Sequence, residues 1–352
     1  MNIEHPFNRL RRASAAFQES CILAAAADFD LFTIIIEHNN RLSAQELSTI
    51  CKTDLRGTTV LLDALAATEY LCKKNIPSNS NSNSNSDSDS TVVYSVAEEF
   101  LTLLDRRNQE TFIPMIRHMS CVQRSWAELA RTIKNGMPFE TLPSILGADE
   151  DRVSFIWAMN SIAQKLVAPT VESLRQVGLL RFDQFIDIGG ASGTYALAFL
   201  EALPESRGTI FDLPVGIAAA RQRFTGTEYE NRIQLVEGDF LQDELPYGFD
   251  FAWVSAIIHQ FGRSESRNLY EKVFRSLYSG GKVAIRDFIM NAERTVPKDG
   301  AFFGISMLVE TKTGMVYTFD EVKTDLEIAG FTEVQLAVPA ETMSAIVTAK
   351  KP

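Results

Sequence analysis

Phe185-Ile186-Asp187-Ile188-Gly189-Gly190-Ala191-Ser192-Gly193 runs from an apolar stretch into three glycines, and a helical pattern opens at Thr194. That order predicts a strand, a tight turn and a helix. Glycines at such a turn let the backbone approach a ligand closely, and the start of the helix offers free N–H donors. The dinucleotide fingerprint needs glycine at the first, third and sixth positions of its turn. Counted from Gly189, the third and sixth positions are Ala191 and Thr194; counted from Gly190, they are Ser192 and Tyr195. Neither register fits, which disfavours an oxidoreductase built on a dinucleotide.

Outward from this turn, apolar β-rich runs alternate with amphipathic helices. Strands are predicted at Phe185 to Ile188, Thr209 to Phe211, Arg232 to Val236, Phe249 to Ser255 and Lys282 to Arg286. Helices at Thr194 to Leu203, Val215 to Phe224 and Ser264 to Leu277 separate four of them, and Asp320 to Ala329 leads to two last strands, Phe331 to Val338 and Glu341 to Ala349. Strand and helix in repeated alternation predict an α/β domain with a parallel, doubly wound, Rossmann-like sheet. Asp212 ends the second strand within Phe211-Asp212-Leu213-Pro214, where a carboxylate suits a pair of ribose hydroxyls. Asp239 and Phe240 follow the third strand, an acid and an aromatic ring suited to the amine and the face of adenine.

The first 180 residues read as mainly helical. Helical patterns cover Phe17 to Phe32, Gln109 to Asn135 and Asp151 to Val177. Ser43 and Glu46 form a capping box, and Thr53-Asp54 opens a helix from Leu55 towards Ala67. With short strands at Glu69 to Cys72 and Thr91 to Ser95, this is the order of a winged-helix module. The Ser, Asn and Asp run 78–90 has nothing apolar to bury and is expected to be a disordered wing insertion. We expect a winged-helix-like domain over 1–105, a helical linker and substrate cap over 106–178, and the ligand-binding α/β domain over 179–352.

With 352 residues, 45% hydrophobic and 22% charged, the composition is that of a globular protein of two domains. No apolar run approaches the roughly 18 to 20 residues that span a bilayer, and Met1 to Arg12 lacks the apolar core of a signal peptide. The expectation is a cytoplasmic protein with no membrane partner. Basic side chains number 34 against 45 acidic ones, a net −11 that repels phosphate backbones and argues against nucleic acid as the main ligand. Cys21, Cys51, Cys72 and Cys121 have no metal-ligand spacing and are read as small buried apolar residues. No carboxylate cluster is set out for a metal, so none is predicted.

The turn with its acid, Asp187-x-Gly189-x-x-x-Gly193, resembles motif I of class I S-adenosylmethionine-dependent methyltransferases. Taken in order, FIDIGGASG, FDLP, EGDF, IIHQF and GGKVAIRDF resemble the caffeate- and acetylserotonin-type O-methyltransferases and their bacterial relatives over residues 180–350. The N-terminal half matches that family only in architecture. The resemblance implies S-adenosylmethionine as methyl donor and S-adenosylhomocysteine as product. It implies a homodimer formed by the N-terminal domain, and a small-molecule acceptor of aromatic or polyketide-like character. The cofactor residues it implies are Asp187, Gly189, Gly190, Gly193, Asp212, Leu213, Asp239, Phe240 and Ser255. His259 stands where the plant members have their catalytic base, with Asp287 as its supporting acid. Trp157, Met159, Asn160, Phe302, Phe303 and Met307 fall at acceptor positions.

Three positions depart from that pattern. A second supporting Glu falls at Val316, the family's His-Asp-Trp is His259-Gln260-Phe261, and a Lys near the cofactor is Ser255. Transfer to carbon or nitrogen, which needs less help from a base, stays open on those grounds. A winged-helix regulator that senses S-adenosylmethionine is the competing class of answer, opposed by the acidic total and by Arg56 as the only basic residue within 55–67.

Overall fold

In the computed structural model, residues 4–77 and 90–352 are described. The chain divides into two compact units, Met1–Arg124 with Leu142–Met159, and Ser125–Thr141 with Asn160–Pro352. Helix α1 spans Pro6–Ala15, α2 Phe17–Asp28, α3 Leu31–Glu37, α4 Ala44–Cys51 and α5 Leu55–Ala67; the hairpin β1 Leu71–Pro77 and β2 Ser90–Val96 follows. The helix expected over Phe17 to Phe32 is two, because Asp30 sits in the left-handed region at φ 56° and turns the chain between α2 and α3. The Ser43–Glu46 capping box is present at α4, and the Asp54 carboxylate accepts from Gly57 N at 2.7 Å to start α5. Leu31, Phe32, Ile35, Leu47, Leu62, Leu65 and Tyr94 fill the core of this unit. The run 78–90, expected as a disordered insertion, lies outside the described residues except for Ser90, which opens β2.

Further helices are α6 Ile113–Ala127, α7 Leu129–Asn135 and α8 Ala148–Gln176. The long helix expected at Gln109 to Asn135 is thus broken at Glu128. Then come β3 Gln184–Ile188, α9 Thr194–Ala202, β4 Arg207–Asp212, α10 Pro214–Phe224, β5 Ile233–Glu237, β6 Phe249–Ser255, α11 Arg263–Ser276 and β7 Leu277–Asp287. The chain ends with β8 Ile289–Met290, α12 Lys298–Glu310, β9 Tyr317–Thr318, α13 Phe319–Ile328, β10 Thr332–Val338 and β11 Ala345–Lys350. Helix α12 has no counterpart among the sequence expectations: Gly300 and Gly304 weaken its helical signal.

Seven strands form one sheet in the order β10-β11-β7-β6-β3-β4-β5, with β7, β6, β3, β4 and β5 parallel and the last two strands antiparallel. The α/β reading with a parallel, doubly wound sheet holds. Side chains alternate between two faces, as a sheet covered on both sides requires. Ile186 and Ile188 enter one apolar core with Val254, Ile285 and Val347, while Phe185 enters the other with Phe199, Phe251 and Trp253. Strand β3 has β4 on one side and β6 on the other, so the strand order reverses there. Ligands in open α/β sheets bind at the carboxyl end of such a reversal. The glycine turn occupies that position.

Candidate active site

The glycine turn begins with Gly189 at φ 66° and ends with Gly193 at φ 77°, both in the left-handed region. Side chains are also excluded by space. A Cβ on Gly189 falls 2.1 Å from Ile257 Cδ1, and one on Gly190 falls 2.7 Å from the Asp187 carboxyl group. Ala191 takes the left-handed region too, at φ 46°, without being glycine. Backbone strain of this kind is tolerated where the surroundings fix it, commonly at functional sites.

Beneath the turn lies Asp187. It is 2% exposed, and its Oδ2 has no hydrogen-bond partner. Lost hydration, with the Asp212 carboxylate nearby, pushes its pKa from 3.8 up to about 7. Asp212, at the end of the neighbouring strand β4, accepts from Ala191 N at 2.7 Å and from Leu213 N at 2.6 Å. Burial raises its pKa as well. Leu213 itself is half exposed. Two acids and an open backbone turn therefore surround one place, which favours a ligand bearing positive charge and hydroxyl groups. An orphan carboxylate oxygen, a turn closed to any side chain and an acid at the adjacent strand end all suit S-adenosylmethionine.

Past β5, Asp239 Oδ1 accepts from Leu241 N at 2.9 Å and Oδ2 from the Gln242 amide at 2.9 Å. Phe240 lies with Cε1 3.8 Å from the Cβ position of Gly189, and its ring meets Phe261 edge-on. The ring thus stands over the same turn as the two acids. Ser255, the last residue of β6, accepts from Arg286 Nε at 2.8 Å.

His259 sits on a short 3₁₀ turn, Ile258–Gln260, after β6, and Ala256 just before it has φ 56°. The imidazole is buried. Its Nδ1 lies 2.9 Å from each carboxylate oxygen of Asp287, the last residue of β7. Phe288 N donates to Asp287 Oδ1 at 2.8 Å and helps fix the carboxylate. Facing two acceptor oxygens, Nδ1 carries the hydrogen in the neutral ring, the tautomer that leaves the lone pair on Nε2. Phe303 of α12 packs edge-on against the imidazole, with centroids 4.8 Å apart. The two residues brought together by neighbouring strand ends are those expected, and the shorter Asp reaches.

The other acceptor candidates are dispersed. Phe302, next to Phe303, turns to a different side, meeting Trp126 edge-on and Lys298 through its face. Met307 is buried. Asn160 lies by the glycine turn instead, its Oδ1 accepting from Arg223 at 3.2 Å and from Ser192 Oγ at 3.5 Å. Trp157 and Met159 belong to the first unit, where Trp157 is exposed. Val316 is buried with Cγ2 3.2 Å from the Cβ position of Gly304, a place for an apolar side chain rather than a second acid.

Sequence reasoning missed two arginines. Arg223 Nη2 reaches Ser192 Oγ at 3.2 Å, and Arg286 is buried between Ser255, the Met343 carbonyl and the Tyr195 ring. Arg223 is 31 residues from Ser192, and no local pattern marks it. The cysteines need correction. Cys21 and Cys72 are exposed, and Cys51 and Cys121 are only partly covered. Cys21 and Cys72 fall on outward helix and strand positions, while Cys51 packs at the edge of the first unit's core, which counts of spacing do not reveal.

Two family models match the chain: an O-methyltransferase domain over residues 130–332 and an O-methyltransferase dimerisation domain over residues 12–95. Acetylserotonin O-methyltransferase of Bos taurus is 25% identical over 355 residues, covering 98% of each chain. The tetracenomycin polyketide synthesis 8-O-methyl transferase of Streptomyces glaucescens is 26% identical over 326 residues, covering 91% of this chain and 90% of its own. The crystal structure of human N-acetylserotonin methyltransferase in complex with S-adenosylmethionine shares the fold with a TM-score of 0.78, at 21% identity over 99% of each chain.

Proposed function

We propose, for a chain that belongs to the O-methyltransferase family, that its acceptor is a small aromatic or polyketide-like hydroxyl compound and that His259 takes the acceptor's proton. Membership makes the chain an enzyme that uses S-adenosylmethionine. When bound, that cofactor supplies a methyl group on a sulfonium, ready for in-line displacement. The remaining work falls to side chains. Asp212 holds the ribose hydroxyls with the acceptor capacity left after its two amide bonds, and Phe240 covers the adenine face with Asp239 at its edge. Leu213 and Ser255 border this site. Asp187, sealed under Gly190, acts as a buried negative charge beneath the turn and favours the cationic end of the ligand.

One observation carries the base assignment: the Nδ1 of His259 within 2.9 Å of both Asp287 oxygens. That arrangement turns the ring so that Nε2 is the free base, and the carboxylate stabilises the imidazolium formed on proton transfer. Phe303 and Met307 supply apolar contact for the acceptor; Asn160, beside Ser192, serves the cofactor end. The match to a dimerisation domain over 12–95 supports a homodimer. His259→Ala should spare cofactor binding, measured by titration calorimetry, and cut turnover by about 10² to 10⁴-fold. Undiminished turnover would remove the base. Val316, apolar where a second acid would assist the imidazole, keeps transfer to nitrogen or carbon as the second reading.

A further inference from the structure

Helix α12 carries Phe303, Met307 and Glu310 at i, i+4 and i+7, which places the three on one face. Phe303 begins the stripe against the His259 imidazole. The backbone beyond Glu310 returns to the same histidine, with Met315 N donating to the His259 carbonyl at 2.9 Å. Glu310 therefore stands at the far end of an apolar stripe that starts at the proposed base. Seven residues of α-helix separate the two ends by about 10 Å.

The carboxylate of Glu310 is unusual in what surrounds it. It has neither a hydrogen bond nor an ion pair among the described residues, whereas the helix acids Glu46, Asp151 and Glu172 are each engaged. Lys312, two residues on, makes no pair with it. Although the side chain reaches solvent, the protein atoms crowded round its carboxyl strip away hydration and raise its pKa. A partly desolvated acid with no partner among the described residues gains from a cation that arrives with a ligand, since a charged pair is worth more than a neutral hydrogen bond.

We propose that Glu310 selects acceptors that carry an ammonium group about 10 Å from the hydroxyl that is methylated. The inference rests on the acceptor reading given above. Phe303 and Met307 hold the ring, His259 takes the hydroxyl proton, and Glu310 receives the amine. The net charge of −11 assists by attracting cations and repelling acceptors that end in a carboxylate.

The test uses matched triplets of phenols and hydroxylated polycycles, each compound ending in an aminoalkyl, an N-acetylaminoalkyl or a carboxyalkyl arm. Wild type, E310Q and E310K are assayed with S-adenosylmethionine, and retained S-adenosylhomocysteine affinity shows that each variant is folded. In wild type, kcat/KM should favour the ammonium member over its N-acetyl counterpart by about 5- to 30-fold, allowing for partial solvent screening. E310Q should bring that ratio below about 3-fold by the same reasoning, and E310K should shift preference to the carboxylate member. Preference for the neutral or anionic member in wild type, or an ammonium preference unchanged in E310Q, would overturn the assignment. Failure of wild type on every triplet, with cofactor still bound, would count instead against the acceptor reading beneath it.

Discussion

Replacing Asp187 by Asn should make the protein more stable and a poorer binder of its cofactor. The carboxyl is sealed under Gly190 with Oδ2 unpaired, and its pKa stands at about 7 against 3.8 for an ordinary Asp. Between those values the folded chain holds a proton that the unfolded chain has lost. Stability through this group is therefore fully present below pH 4, falls as pH rises, and reaches its minimum above pH 7. The gap of about 3 pH units corresponds to roughly 4 kcal/mol at pH 8. Asn removes that penalty but buries an amide with no assured partner, which costs about 1 to 3 kcal/mol. The net expectation at pH 8 is a gain of about 1 to 3 kcal/mol, seen as a Tm higher by a few degrees. At pH 5 the gain should be smaller, because the wild-type group is there largely protonated. Thermal and urea denaturation of both apo proteins at the two pH values gives the comparison, and subtraction cancels the other raised acids. An Asp187→Asn variant less stable than wild type by an equal amount at both pH values would refute the charge argument.

Asp212→Ala should weaken S-adenosylhomocysteine binding by at least 10-fold in titration calorimetry, since two charge-assisted hydrogen bonds to the ribose vanish and Ala191 N loses its acceptor. Equal affinity would remove the ribose assignment. Gly190→Ala sets a methyl group 2.7 Å from the Asp187 carboxyl; loss of both cofactor affinity and about 1 to 3 kcal/mol of stability is expected, checked by the same two assays.

Features legible in the sequence were those written locally. Alternation in Phe185 to Ile188 and Phe249 to Ser255, capping at Ser43–Glu46, and glycines at a strand end are each patterns within ten residues. The meeting of His259 with Asp287 was legible for a topological reason, since one follows and the other ends two neighbouring parallel strands. What stayed hidden depends on distant packing. Arg223 reaches Ser192 because the end of α10, with Phe224 against Gly193, packs on the glycine turn, and Ala191 and Ala256 hold left-handed conformations that alanine does not advertise. Asp187 reads as a ligand contact in sequence, yet the pleat turns it inward beside Trp253, its partner across the ladder. Asn160, which the family resemblance sets among the acceptor residues, lies by Ser192 and Arg223, a placement that depends on packing across the fold. Helix α12, whose helical signal Gly300 and Gly304 weaken, was not recognised as a helix, and so the stripe that ends at Glu310 was not visible.

The most direct test of the whole account is a methyl-transfer assay with isotopically labelled S-adenosylmethionine, run on wild type and His259→Ala. The acceptors are aromatic compounds that offer a hydroxyl, an amine or an activated carbon, and the hydroxyl set spans ordinary phenols and acidic ones already ionised at the assay pH. The account predicts label on oxygen, a large loss in the variant with ordinary phenols, and near recovery with ionised ones, which need no base. Label on nitrogen or carbon, or an equal loss with both kinds of phenol, would contradict it.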